Sequence, residues 1–308
     1  MPVTETITLD LFTLGRWLAS GAMLALFGTC VFATLVPRWR HDRDDDSSLA
    51  AHALTRCWHV ALVAAVVLVI AHLLRGYGQV SSFLDPQQYF SLDAARTILV
   101  DTTWGHGWIA QFVAATLCIP LARFAARRPA PGLALLSSGA LAVVITAPLT
   151  GHAVEHPWGI TVGVGLHALH ILGGSVWIGS LFSMVWCGLM QARKSDARAV
   201  ARMVHVFTPA ALTGAGAAVA AGTLLAISYV GSFEELWETE YGLILLLKVS
   251  LLAFAMVLGG WNWKSVSPQL GSHAATLTLR WSASLELLFA VLLLAATAVL
   301  VALPAPGL

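Results

Sequence analysis

Eight stretches of this chain run for roughly 20 residues each with almost no charge, and nothing else in it constrains the fold as tightly. They cover residues 11–36, 58–74, 104–124, 133–150, 161–190, 206–230, 241–263 and 279–303. Inside hydrocarbon a backbone N–H or C=O has no water to bond. A spanning segment must therefore satisfy its own backbone as a helix, or close into a barrel. Barrel strands would alternate apolar and polar residues over about ten positions, and these runs do not alternate. The expected fold is an all-α polytopic membrane bundle of about eight transmembrane helices. With 58% hydrophobic and 11% charged residues, the chain has too few charges to cover a water-facing surface. The second and fourth runs are short, and the fifth is long enough to begin above the membrane. Met1–Asp10 lacks Lys and Arg, so the first run reads as a retained helix rather than a cleaved signal peptide.

Lys and Arg set the orientation, because they accumulate in cytoplasmic loops. Arg38, Arg40, Arg43 and Arg56 follow the first run. Arg123, Arg127 and Arg128 follow the third, and Arg193, Lys194, Arg198 and Arg202 follow the fifth. With Lys264 and Arg280 after the seventh, thirteen of the seventeen basic residues fall in these loops. The opposite loops hold only Arg75 and Arg96, plus an acidic stretch with Glu234, Glu235, Glu238 and Glu240. Both termini are therefore expected to be periplasmic. The chain reads as one transmembrane domain, residues 1–308, with four helices in 1–150 and four in 151–308. Within the longest outer loop, residues 87–100 suit either a short helix on the membrane surface or an ordered loop. Gly214, Ala218 and Gly222 recur every four residues, which lets helices approach closely. A net charge of +1 and the lack of any nucleic-acid motif leave nucleic acid out as a partner.

With that topology the eleven histidines separate. His72, His106, His152, His156, His167 and His170 lie at or near the outer face, while His41, His52, His59, His205 and His273 lie at the inner side. Imidazole binds copper in either oxidation state. His167 and His170 are three apart on a helix and share a face. His152 and His156 flank Glu155 just before that helix. Six outer histidines suggest a metal or cofactor site centred on His152, His167 and His170. Sulfur sits at the other side: all four cysteines are in the inner half, and Met184 and Cys187 share a helix face there, a possible inner relay for soft Cu(I). Ordinary helix packing explains these sulfurs equally well. Three ionisable residues, Arg16, Lys248 and Glu286, interrupt apolar runs and should face the bundle interior or a wet cavity. Glu286 is close in depth to Asn262, and a direct Lys248–Glu286 pair looks strained. No GxSxG, HExxH, Walker A or Rossmann fingerprint is present, and no loop is large enough for a nucleotide domain, so the chain reads as a non-enzyme.

Gly151-His152-Ala153, His170 followed by Trp177 and Gly179, Tyr241-Gly242 leading to Leu246-Leu247-Lys248, then Asn262, Glu286 and Leu303-Pro304-Ala305-Pro306 occur in that order. Thr103-Trp104-Gly105 with Trp108 stands in the first half. Through these marks the chain resembles the CopD family, with its copper resistance D domain in the last four helices. The resemblance implies a multi-pass bacterial inner-membrane protein of copper uptake or resistance. It also implies a partner, a small periplasmic copper carrier of the CopC type, which in the family can be fused to the membrane part and is expected to be separate here. It supplies no ligand set. The combined expectation is copper capture at the outer histidines and passage inward between helices. The alternatives are a haem b electron-transfer protein, holding haem between facing histidines, and an assembly factor that delivers copper without transporting it. The topology has a direct test. Alkaline phosphatase fused at Leu308 should be active and at Arg128 inactive, and the reverse pattern would remove the basis for an outer histidine site.

Overall fold

Short polar side chains start the helices. Thr102, Thr239 and Ser272 each accept a hydrogen bond from a backbone N–H three residues on, of Gly105, Gly242 and Ala275. Pro129 opens another helix at the first position, where a missing N–H costs nothing. The computed structural model describes residues 11–39, 46–84 and 91–304, without the side chains of residues 46–48, 152 and 194. Eight helices in it are long and apolar enough to cross a membrane: Leu11–Trp39, Leu49–Ser81, Thr103–Arg127, Pro129–Thr150, Ile160–Gln191, Ala197–Tyr229, Glu240–Gln269 and His273–Leu300. They are the first to eighth spans below. The protein is an all-α polytopic membrane bundle, and no strand forms among the described residues. Eight crossings put both ends of the described chain on one side, the termini face. The arginine-rich loops lie on the other, the basic face. Of the sequence features discussed above, Met1–Asp10, Arg40, His41, Arg43, residues 87–90 and Ala305-Pro306 lie outside the described residues.

The helices extend beyond their apolar runs. The second, expected to be short at 58–74, belongs to a helix of Asp46–Ser81. The sixth begins at Ala197 rather than 206 and takes in Arg198, Arg202 and His205. Hydropathy marks the hydrocarbon layer, whereas helical hydrogen bonding continues into the headgroup region and the water beyond it. The fourth span ends in a 3-10 turn, Ala147–Thr150. The fifth is interrupted by two π-helical segments, Ser175–Gly179 and Met184–Gly188. The outer loop does form a surface helix, Leu92–Asp101, capped by Ser91.

The first span is the hub, packing against the second, fourth, fifth, sixth and eighth. It meets the fifth at backbone contact. A Cβ on Gly28 would stand 2.0 Å from the Gly179 carbonyl carbon, and one on Gly179 would stand 1.9 Å from the Leu24 carbonyl oxygen. One turn away Thr29 and Ser183 share a hydrogen bond of 2.8 Å. The fifth and sixth spans meet the same way, with Gly214 against Gly173 and Trp177. These contacts bring the first half of the chain against the helix that carries His167 and His170. Gly28→Ala should lower stability by about 1–3 kcal/mol, since no flexible side chain is there to yield. Gly216→Ala, with nothing within 4 Å of the added carbon, should not. Thermal unfolding of the detergent-purified variants reads this, and equal midpoints would contradict the tight crossing.

Candidate functional site

On the termini face, the loop before the fifth span and the ends of the fifth and sixth spans gather three aromatic rings. His156 is 4% exposed. Its Nδ1 accepts from the Trp158 backbone N–H at 3.1 Å, so in the neutral ring the proton is on Nε2, 3.0 Å from Ser228 Oγ. Ser228 in turn donates to the Leu225 carbonyl at 2.8 Å. Tyr229 stands edge-on to both His156 and His167, with ring centroids 5.3 and 5.8 Å away. His167 Nδ1 lies 3.0 Å from the Gly163 carbonyl oxygen, and His170 Nδ1 lies 2.7 Å from that of Ala218 on the sixth span. A carbonyl only accepts, so both rings carry a proton on Nδ1 and, when neutral, present the Nε2 lone pair. The His170 ring fits because residue 222 is glycine: a Cβ there would sit 2.9 Å from its Cε1 and Nδ1.

The other outer histidines lie elsewhere. His72 is fully enclosed, with Nδ1 2.8 Å from the Leu68 carbonyl and Nε2 2.7 Å from Gln111 Oε1. Arg75 donates to Gln111 Oε1 at 3.3 Å and to Thr150 Oγ1 at 2.8 Å, and Gln111 donates to the Val143 carbonyl at 3.2 Å. This network ties the second, third and fourth spans together and occupies both nitrogens of His72. His106 donates from Nε2 to the Val100 carbonyl at 2.7 Å, fastening the surface helix to the third span. His152 opens a 3-10 turn, His152–Glu155, and its side chain is outside the described set. The six histidines share one face but are divided among separate settings. Among the described residues, no three His, Cys, Asp or Glu side chains form a group that could hold a metal ion.

Toward the basic face, Glu286 is buried. Its Oε1 accepts from Trp177 Nε1–H at 3.2 Å and its Oε2 from Asn262 Nδ2 at 3.4 Å; Ser282 donates to Asn262 Oδ1. Three residues far apart in sequence thus form one polar tie across the fifth, seventh and eighth spans. Neutral donors satisfy the carboxylate, and no ion pair reaches it from Lys248 among the described residues. Lys248 lies within electrostatic reach of His170 instead. The Arg16 guanidinium sits 4.1 Å above the Phe12 ring. Met184 and Cys187 are buried in the large apolar cluster to which all eight spans contribute.

Residues 6–160 match the family model described as "Copper resistance protein D-like, N-terminal domain", just over half of the chain, and residues 201–300 match that described as "Copper resistance protein D". The chain belongs to the copper resistance protein D family. It is also 30% identical over 167 residues to the copper transport protein CutJ of Bacillus subtilis (strain 168). That alignment covers 53% of this chain and 29% of the length of CutJ. No solved structure matches the chain.

In this chain Trp177, Asn262 and Glu286, separate marks in the sequence, form a single hydrogen-bonded unit. Sequence reasoning missed Gln111, Thr150, Ser228 and Tyr229. Gln111 carried a usable signal, being an amide inside an apolar run, where an unmatched polar group is costly. Ser228 and Tyr229 carried none, because both are ordinary at a membrane interface. Burial holds the His156 pKa below the usual 6.5. The unfolded chain therefore binds the proton more readily, and the stabilisation from neutral His156 is present above about pH 6.5 and lost as pH falls below it. The thermal midpoint should drop on acidification from pH 7.5 to 5, and drop less in His156→Gln. Parallel pH profiles for the two proteins would contradict this.

Proposed function

We propose that this protein is a copper carrier of the bacterial inner membrane rather than an enzyme. Both termini lie in the periplasm, and copper is its cargo. His167 and His170 receive the ion at the termini face, His152 joins them from the preceding turn, and the ion then passes inward between helices. A small periplasmic carrier of the CopC type supplies it. The observation that carries this reading is the hydrogen bonding of the two histidines. Each gives Nδ1–H to a backbone carbonyl, the outer-sphere arrangement that orients a ligating imidazole. Family membership and the likeness to a copper transport protein support copper as the cargo. The positive charge of Lys248 near His170 opposes a bound cation, which keeps the site weak enough to release it.

Copper content of the purified variants tests the site. His167→Ala and His170→Ala should each lower bound copper, His152→Ala by as much or less, and His273→Ala at the basic face not at all. Full occupancy in the His167/His170 double variant would place the site elsewhere. A Soret band at one haem per chain would overturn the copper reading in favour of haem b electron transfer. Lys248→Met should remain in the membrane at wild-type amounts yet impair copper-dependent growth, and a wild-type phenotype would leave Lys248 no role in release.

A further inference from the structure

Two cavities on one flank of the bundle join end to end. The more apolar one, about 500 Å³, runs between the first, second, fifth and eighth spans. Small residues make its floor, Gly21, Ala22 and Ala25 on the first span and Ala64 on the second. Its walls include Phe182 and Trp186 of the fifth span, stacked with ring centroids 6.3 Å apart, and Leu294 of the eighth. At its far end the Trp17 indole donates to the Val291 carbonyl at 3.4 Å, bridging the first and eighth spans. A Cβ on Gly21 would meet only Leu294 Cδ1, at 3.9 Å, so a side chain placed there would enter the groove.

The second cavity, about 630 Å³, continues from the shared residues His59, Val60 and Trp186 toward the basic face. Its polar lining is His52, Thr55, Arg56 and His59. Thr55 Oγ1 and His59 Nδ1 donate to carbonyls of their own helix, those of Ala51 at 3.0 Å and Thr55 at 2.9 Å. Arg56 is exposed, and no acidic side chain lines either cavity. The depths fit a lipid. His59 and Val67 mark the two ends of the apolar groove on the second span, a helix rise of about 12 Å. The hydrocarbon of one leaflet is about 15 Å deep.

We propose that this composite groove binds a phospholipid with an anionic headgroup, in the leaflet on the basic face. One acyl chain lies in the apolar cavity, the phosphate sits at Arg56, and Trp186 stands at the boundary between them. A guanidinium offers phosphate oxygens a fork of donors, and an indole suits the headgroup level. Basic residues at that level attract anionic lipid. A second copy of the chain is a poorer occupant. In the same orientation it carries its own arginine-rich loops at this depth, so like charges would meet across the contact. The lipid touches spans from both halves of the chain and braces the first span where it sits against the fifth. None of this depends on copper as the cargo.

The test compares delipidated full-length protein in detergent with added phosphatidylglycerol or with phosphatidylcholine of the same acyl chains. Phosphatidylglycerol should raise the thermal midpoint more. Native mass spectrometry should show it retained about fivefold better, the factor that one arginine at a charged surface supplies. Inorganic phosphate should give no shift, because it has no chain for the apolar cavity. Arg56→Gln should bring the two lipids level. Gly21→Phe, whose ring fills the groove, should lower retention of both. Equal retention of the two lipids by wild type would overturn the proposal without any variant. So would stabilisation by inorganic phosphate as large as that by phosphatidylglycerol. A protein dimer that Gly21→Phe converts to monomer would also overturn it and assign the groove to a second copy.

Discussion

Lipid tails are as apolar as leucine, so burying leucine between two spanning helices gains little, and backbones must come close for packing to hold them together. The crossing of the first and fifth spans at Gly28 and Gly179 is where this constraint is tightest. Neither position has room for a single carbon. The Thr29–Ser183 hydrogen bond, 2.8 Å long, adds a polar tie beside it. Through this contact the first span, the most enclosed of the eight, is seated against the helix that carries both His167 and His170 and both Met184 and Cys187. The candidate outer histidines and the buried Met184 and Cys187 thus lie toward opposite ends of one helix, seated against the hub at its middle.

Polar ties complete what close packing begins. Away from water, a buried amide or carboxylate must find a partner within the protein. Trp177, Asn262 and Glu286 do so across three spans, and His72, Arg75, Gln111 and Thr150 across three others. The two networks have different consequences for chemistry. The one around His72 uses both ring nitrogens and leaves no open ligand. The hydrogen bonds of His167 and His170 run from Nδ1 to a backbone carbonyl and fix the orientation of each ring. Histidines that look alike in sequence are thus separated by which carbonyl or amide faces each ring.

The spans, and the absence of strands among the described residues, were legible because hydrocarbon admits few solutions for a backbone. Helix ends were less so: hydropathy reports the apolar layer, and the second and sixth spans continue well past it. The π-helical segments of the fifth span left no mark in its composition. Asn262 and Glu286 were readable as neighbours in depth, since each interrupts an apolar run and both lie near the same face. Trp177 was readable only as a family mark.

The sequence alone determined a multi-pass helical bundle, the depth of each histidine and cysteine along its helix, and a resemblance to a copper-related family. All of these follow from the order of residues along single helices, where a rise of about 1.5 Å per residue converts position into depth. Only the tertiary structure decided which side chains at one depth meet. Rotation of each helix about its axis, and the identity of its neighbours, depend on contacts between residues far apart in the chain. That is why six outer histidines became several settings rather than one cluster, and why Trp177 and Glu286, far apart in the chain, came to share a hydrogen bond.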